Sequence, residues 1–193
     1  MPNFENYLCI SHKPKAIPYG GSGIVRADGD ANFGFKCLKG ALHRADEVPE
    51  LQRDSTMKQL AVAINGPATG LLSIGCVSGP LHEDGRHRYM GYFEFAFNSR
   101  TGISDAQHYF PAFFHFDRRL TETPNVRPVM YHWELQPCTF VERDNASGYS
   151  CAITVNTHWV DSHETALQDW EQSLGYLRQM LEQIPPFGPD ALY

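Results

Sequence analysis

Through the middle of the chain, polar and apolar residues alternate. In "HRYMGYFEFAFNS" (87 to 99), Phe93, Phe95 and Phe97 interleave with Tyr92, Glu94 and Ala96. Successive side chains of a strand point to opposite faces, so this spacing predicts a strand with one face buried. "QLAVAIN" (59 to 65) and "GLLSIGCVSG" (70 to 79) read as two further strands parted by Gly-Pro. "AQHYFPAFFHFDRRL" (106 to 120) sets Phe110, Ala112, Phe114 and Phe116 against His115 and Asp117. Residues 129 to 143 form another such run. The last, "GYSCAITVNTHWV" (148 to 160), sets Cys151, Ile153, Val155 and Trp159 against Thr154, Asn156 and His158. Consecutive strands with short polar turns predict an antiparallel meander.

The period changes after residue 160. Leu167, Trp170, Leu174, Leu177, Leu181 and Ile184 fall at steps of three and four, the spacing of one helix stripe. Asp161 is the expected cap, Glu164 completes a capping box, and Pro185-Pro186 ends the helix, which is expected over 162 to 184. The stripe needs an apolar partner, and the aromatic face of the sheet is the large one available. The fold expected is therefore α+β: a two-layer sandwich of a mainly antiparallel meander sheet packed by a long C-terminal amphipathic helix, with the opposite sheet face open. Strands followed by a long closing helix are similar in outline to helix-grip lipid- and polyketide-binding domains, a likeness of architecture that implies no function.

The first 58 residues are less regular. Pro18 to Gly23 read as a loop, "GIVRADGDANFGFKCL" (23 to 38) as two short strands around Asp28-Gly29-Asp30, and "EVPELQRDSTMKQ" as a short helix with Pro49 in its first turn. At 193 residues the chain is read as a single domain, 1 to 193, with enough apolar residues (42%) to form a core.

Composition narrows the function classes. A net charge of −6 argues against general nucleic-acid binding, which needs clustered Lys and Arg. The five cysteines (Cys9, Cys37, Cys76, Cys138, Cys151) contain no C-x-x-C pair and read as reduced thiols. With no signal-like start and no apolar run of membrane length, a soluble, cytoplasmic protein is expected. Asn145-Ala146-Ser147 then reads as a polar turn. "YGGSGIVRADG" lacks the G-K-[ST] and G-x-G-x-x-G spacings of phosphate loops, and no G-x-S-x-G elbow is present.

Candidate chemistry lies in "VMYHWELQP" (129 to 137). Pairing Phe114 with Trp133 and Phe116 with Tyr131 sets His115 opposite His132. Pairing Arg143 with Tyr149 sets Glu134 opposite His158 and Trp133 opposite Trp159. His115, His132, Glu134 and His158 would then cluster on the face away from the helix, with Asp117 and Glu94 at the margin. Such a group suits zinc or non-haem iron, or acid–base work without metal; the plain alternative is a solvated sheet face. Arg118, Arg119 and Arg127 are candidate carboxylate or phosphate holders. Between Asp161 and Tyr193 six acids (Asp161, Glu164, Asp169, Glu171, Glu182, Asp190) face one base, Arg178, which predicts an acidic helix exterior suited to a basic partner.

Two functions follow as expectations. The first is a non-catalytic binding protein of inhibitor or immunity type, without cofactor, engaging a partner protein with a basic surface through its acidic surface or open sheet face. The second is a small-molecule-binding protein or enzyme using the His/Glu/Asp face or a cavity lined by Phe93, Phe114, Trp133 and Trp170.

Overall fold

The computed structural model describes residues 3–21 and 34–193. Six strands form one sheet: β1 (Phe4–Ile10), β2 (Lys15–Ile17), β3 (Leu71–Glu83), β4 (Arg86–Phe97), β5 (Val129–Phe140) and β6 (Ala146–Thr157). Their order is β1-β5-β6-β4-β3, with β2 continuing along the β5 edge beyond β1. β1 and β2 run parallel to β5; the other pairings are antiparallel. Pro137, whose ring nitrogen cannot donate, sits in mid-strand on β5. It is tolerated because it falls in the interruption between β1, which pairs as far as Leu135, and β2, which starts opposite Cys138.

The helices are α1 (Pro49–Arg53), α2 (Ser55–Ile64), α3 (Arg100–Ile103), α4 (Phe110–Glu122) and α5 (His163–Leu181). One face of the sheet carries Tyr131, Trp133, Phe93, Phe95, Ile153 and Val155, all essentially inaccessible to solvent. Phe116 on α4 meets Tyr131 edge-on at 4.9 Å, and Trp170 on α5 stacks on Tyr89 at 5.9 Å. The ring-bearing side of the sheet therefore lies under the helices, and the two-layer α+β class stands.

Two runs read as strands are helical. Residues 59 to 64 belong to α2, with Asn65 as its C-cap, and its N-cap Asp54 accepts hydrogen bonds from Thr56 N at 3.0 Å and Met57 N at 2.9 Å. Met57, Leu60, Ala61 and Ile64 are its buried positions, a helical spacing cut short in a window opening at Gln59. Residues 106 to 109 form a 3-10 turn and 110 to 122 form α4. Phe113, Phe116 and Leu120 are buried, while Phe114 is 63% exposed. That run satisfies both periods. Helix prevails because Pro111 suits a first helical turn and not a strand interior, and because β4 and β5, both antiparallel to β6, need a crossover.

The expected register of the last hairpin is also corrected. Phe140 pairs with Ala146 across a tight turn in which Asp144 and Asn145 adopt left-handed φ of 55°. Trp133 thus faces Ile153 rather than Trp159, and Glu134 faces Ala152 rather than His158. The cap of α5 is Ser162, accepting from Thr165 N at 3.1 Å, in place of Asp161. The helix expected at Pro49 is present. The strands expected around Asp28-Gly29-Asp30 lie outside the described residues over 23–33, and 34–38 has no regular structure. No helix among the described residues is long and apolar enough to cross a membrane.

The tail after α5 docks at the end of the sheet. Asp190 accepts from Ser99 Oγ at 2.7 Å and from Thr101 N at 2.6 Å and Oγ1 at 2.8 Å. The Ser99 hydroxyl first, then the Thr101 donors, hold its carboxyl down at about 2. A depressed acid contributes stability above its ordinary pKa and loses it as pH falls through the folded value. The tail should stay docked at neutral pH and release as pH drops from about 4 toward 2. Asp190→Ala should release it at neutral pH, read as faster proteolysis after α5; an unchanged cleavage rate would show that buried Leu192 and the Asn98 hydrogen bonds to Leu192 and Tyr193 suffice to anchor it.

Candidate interaction face

The sheet side away from the helices is built from the alternate residues of each strand. Across β1, β5, β6, β4 and β3, one row reads Tyr7, His132, Thr154, Tyr92 and Val77; the next reads Glu5, Met130, Asn156, Met90 and Gly79. A third row reads Cys9, Glu134, Ala152, Glu94 and Gly75. Cross-strand partners share a face, so these side chains project together.

Only part of this face is open. Lys15 on β2 forms an ion pair with Glu94 and also donates to Gln136 Oε1 at 2.7 Å. The Tyr19 hydroxyl, just beyond β2, donates to Ile74 O on β3 at 3.1 Å, and an added Cβ on Gly75 would lie 2.5 Å from it. The segment after β2 thus crosses the face at one end, where Leu72, Ala96 and Ser150 are inaccessible. The other end is uncovered: Tyr7, Val77 and Met90 are exposed there, with Met130, His132 and Glu134 partly so.

The residues expected to cluster divide between the layers. His132, Glu134 and Glu94 do share the sheet face away from the helices, Glu134 and Glu94 flanking Ala152, but Glu94 is buried at its covered end. His115 and Asp117 are on α4, in the opposite layer. His115 lies 3.4 Å from Arg118, and Asp117 accepts from Asn6 Nδ2 at 3.2 Å. His158 lies past the end of β6, exposed. The four-ligand metal group His115, His132, Glu134 and His158 is therefore not assembled, because one run is a helix and the hairpin turns three residues earlier, which moves each cross-strand partner by six positions. No three His, Cys, Asp or Glu side chains among the described residues are placed to hold a metal. The cavity expected between Phe93, Phe114, Trp133 and Trp170 is not formed by those four: Phe114 points to solvent and the others are core.

The structure adds Cys9, exposed, with its Sγ 3.1 Å from His132 Nε2. Slight burial and the Glu134 charge raise the thiol's pKa. The alternation of Phe4, Asn6 and Leu8 with Glu5, Tyr7 and Cys9 is the signal that marks β1. Its parallel pairing to β5 has no local signal.

The acidic exterior of α5 is narrower than the count of acids implies. Asp169 is buried and pairs with Arg127 at 3.0 Å, and Asp190 holds the tail. Asp161, Glu164, Glu171 and Glu182 remain exposed. Comparison with known proteins finds no matching family model, no similar curated protein and no similar solved structure.

Proposed function

We propose that the protein is a non-catalytic binding protein, of inhibitor or immunity type, that engages a partner protein through the open end of its sheet face. The observation that carries this reading is the uncovered sheet face on which exposed Tyr7 on β1, Met90 on β4 and Val77 on β3 lie with partly exposed Met130, His132 and Tyr92 between them and acidic Glu5 and Glu134 beside them. Exposed aromatic and methionine side chains with a polar rim are the composition of interface cores. Glu5, Glu134 and the net charge of −6 suit a partner whose contact surface is basic with apolar anchors.

The test is quantitative binding to a purified partner, first captured from the native host and then reconstituted. Met90→Arg places a large cation on the open face and should weaken binding by about tenfold or more, a loss of about 1.4 kcal/mol. Phe114→Ala, on the helix side, should leave it unchanged. Binding lost in Phe114→Ala but kept in Met90→Arg would refute the reading, as would a stable self-dimer sealing the face.

A second reading, an enzyme or small-molecule binder, is favoured by the Cys9–His132 contact, the geometry of a thiol beside its base. Turnover abolished by Cys9→Ala with the fold intact would select it.

A further inference from the structure

Three of the chain's nine histidines, His82, His87 and His163, gather at the turn end of the β3–β4 hairpin. The hairpin reverses through Asp84 and Gly85, both at positive φ (49° and 76°), the backbone of a tight two-residue turn. That turn fixes the register that sets His82 on β3 opposite His87 on β4. His87 uses both its N–H and its carbonyl on Val160, each bond 2.8 Å, on the side away from β3. His82 and His87 therefore form a non-hydrogen-bonded pair, the kind in which facing side chains stand closest. Their ring centroids are 4.7 Å apart.

Both rings are accessible and uncommitted. His82 is exposed and His87 half-buried, and neither imidazole takes part in a hydrogen bond or an ion pair among the described residues. His163, the first residue of α5, meets His87 edge-on at 5.9 Å, but its Nε2 lies 3.2 Å from the Tyr89 hydroxyl, and Tyr89 is itself stacked on Trp170. It walls the pair on one side. Glu83, Asp84 and Glu164, neighbours of these rings in the chain, are exposed. By strand alternation Arg86 and Arg88 turn to the other face, where Arg86 donates to Trp159 O at 2.7 Å and Arg88 lies over the Trp159 ring at 4.6 Å. The surroundings of the pair thus favour a cation.

We propose that His82 and His87 chelate a divalent transition-metal ion through one nitrogen of each ring, with water in the remaining positions. A ring nitrogen lies about 1 Å from its centroid and binds such an ion at about 2.0–2.1 Å, so two imidazoles at roughly a right angle around one ion have centroids about 4.5 Å apart. The pair stands close to that spacing. Imidazole suits copper, nickel or zinc, whereas magnesium and calcium take oxygen donors. The rigid turn keeps the second ring at high local concentration once the first has bound. Two protein ligands leave open positions, unlike the closed set of a structural zinc centre, and no group of three is present among the described residues. The pair lies on the helix side of the sheet, so this proposal is independent of the open-face reading.

Nickel(II) chloride is the probe, because it leaves thiols such as Cys9 unoxidised; magnesium chloride is the control, and the full chain carries no tag. Calorimetric titration should show one Ni²⁺ bound per chain and no Mg²⁺. His82→Ala and His87→Ala should each weaken binding by about tenfold or more, the loss of one of two chelating arms, whereas His115→Ala should leave it unchanged. A second readout needs no variant. In the wild-type protein Ni²⁺ should slow carbethoxylation of His82 and His87 by diethyl pyrocarbonate, resolved by mass spectrometry, while exposed His115 and His158 react at their usual rate. No saturable Ni²⁺ binding, comparable binding of Mg²⁺, unchanged affinity in His82→Ala, or equal protection of every exposed histidine would each overturn the proposal.

Discussion

Trp133→Ala should lower the free energy of unfolding by about 3–5 kcal/mol, the cost of deleting a large buried aromatic and leaving a cavity. Trp133 is fully buried at the middle of β5, with Phe95 at 6.3 Å, Phe113 at 5.8 Å and Phe116 at 5.7 Å between ring centroids. It is thus the point where β4, β5 and α4 meet. Its indole N–H is buried without a partner, so Trp133→Phe removes an unmet donor along with some volume. The phenylalanine variant should lose less than half as much as the alanine variant. Urea unfolding measures both. An alanine loss below about 1 kcal/mol would mean that the three surrounding rings close the gap and that the helix-to-sheet packing is softer than the contacts imply.

Lys15→Met should destabilise the fold by roughly 2–4 kcal/mol, because it strands the Glu94 carboxylate under the segment that follows β2. Glu94 is only 6% exposed, whereas Lys15 keeps more contact with water, which places the expected loss below that of a fully buried pair. Glu94→Gln alone should cost less, since the amide keeps acceptor and donor capacity beside Gln136. The double variant should recover most of the single Lys15 loss, and a double-mutant cycle by urea unfolding reports the coupling. Strict additivity would show that the Lys15–Glu94 pair contributes no coupling energy.

Both predictions involve contacts that alternation along the chain only partly reveals. The parity of β5 was legible: Tyr131, Trp133 and Leu135 had to share a face, and they do, beneath the helices. The stripe of α5 was legible for the same reason, since Trp170, Leu174, Leu177 and Leu181 at helical steps have one way to be buried together; Leu167 is half-buried, and Ile184 lies beyond the helix, which ends at Leu181. Residues 106 to 120 were ambiguous because aromatics occupied both the alternate and the every-third-or-fourth positions. The deciding element there was Pro111, which ends a ladder but begins a helix. His115 and Asp117 left the sheet face with that choice. The separation of His158 from Glu134 had a different origin: the backbone at Asp144 and Asn145 turns in the left-handed region and closes the hairpin three residues earlier, which moves each partner by six.

By itself the sequence determined which side chains of each strand and of the closing helix travel together, because local periodicity fixes direction relative to the element's own axis. Tertiary structure alone decided which elements are neighbours. The parallel docking of β1 against β5 brings Cys9 to His132. The tail folds back to set Tyr193 against Arg143, and the segment after β2 covers one end of the sheet and leaves the other bare. Each of these unites residues far apart in the chain, whose association depends on shape and burial across the whole molecule and leaves no local repeat in the sequence.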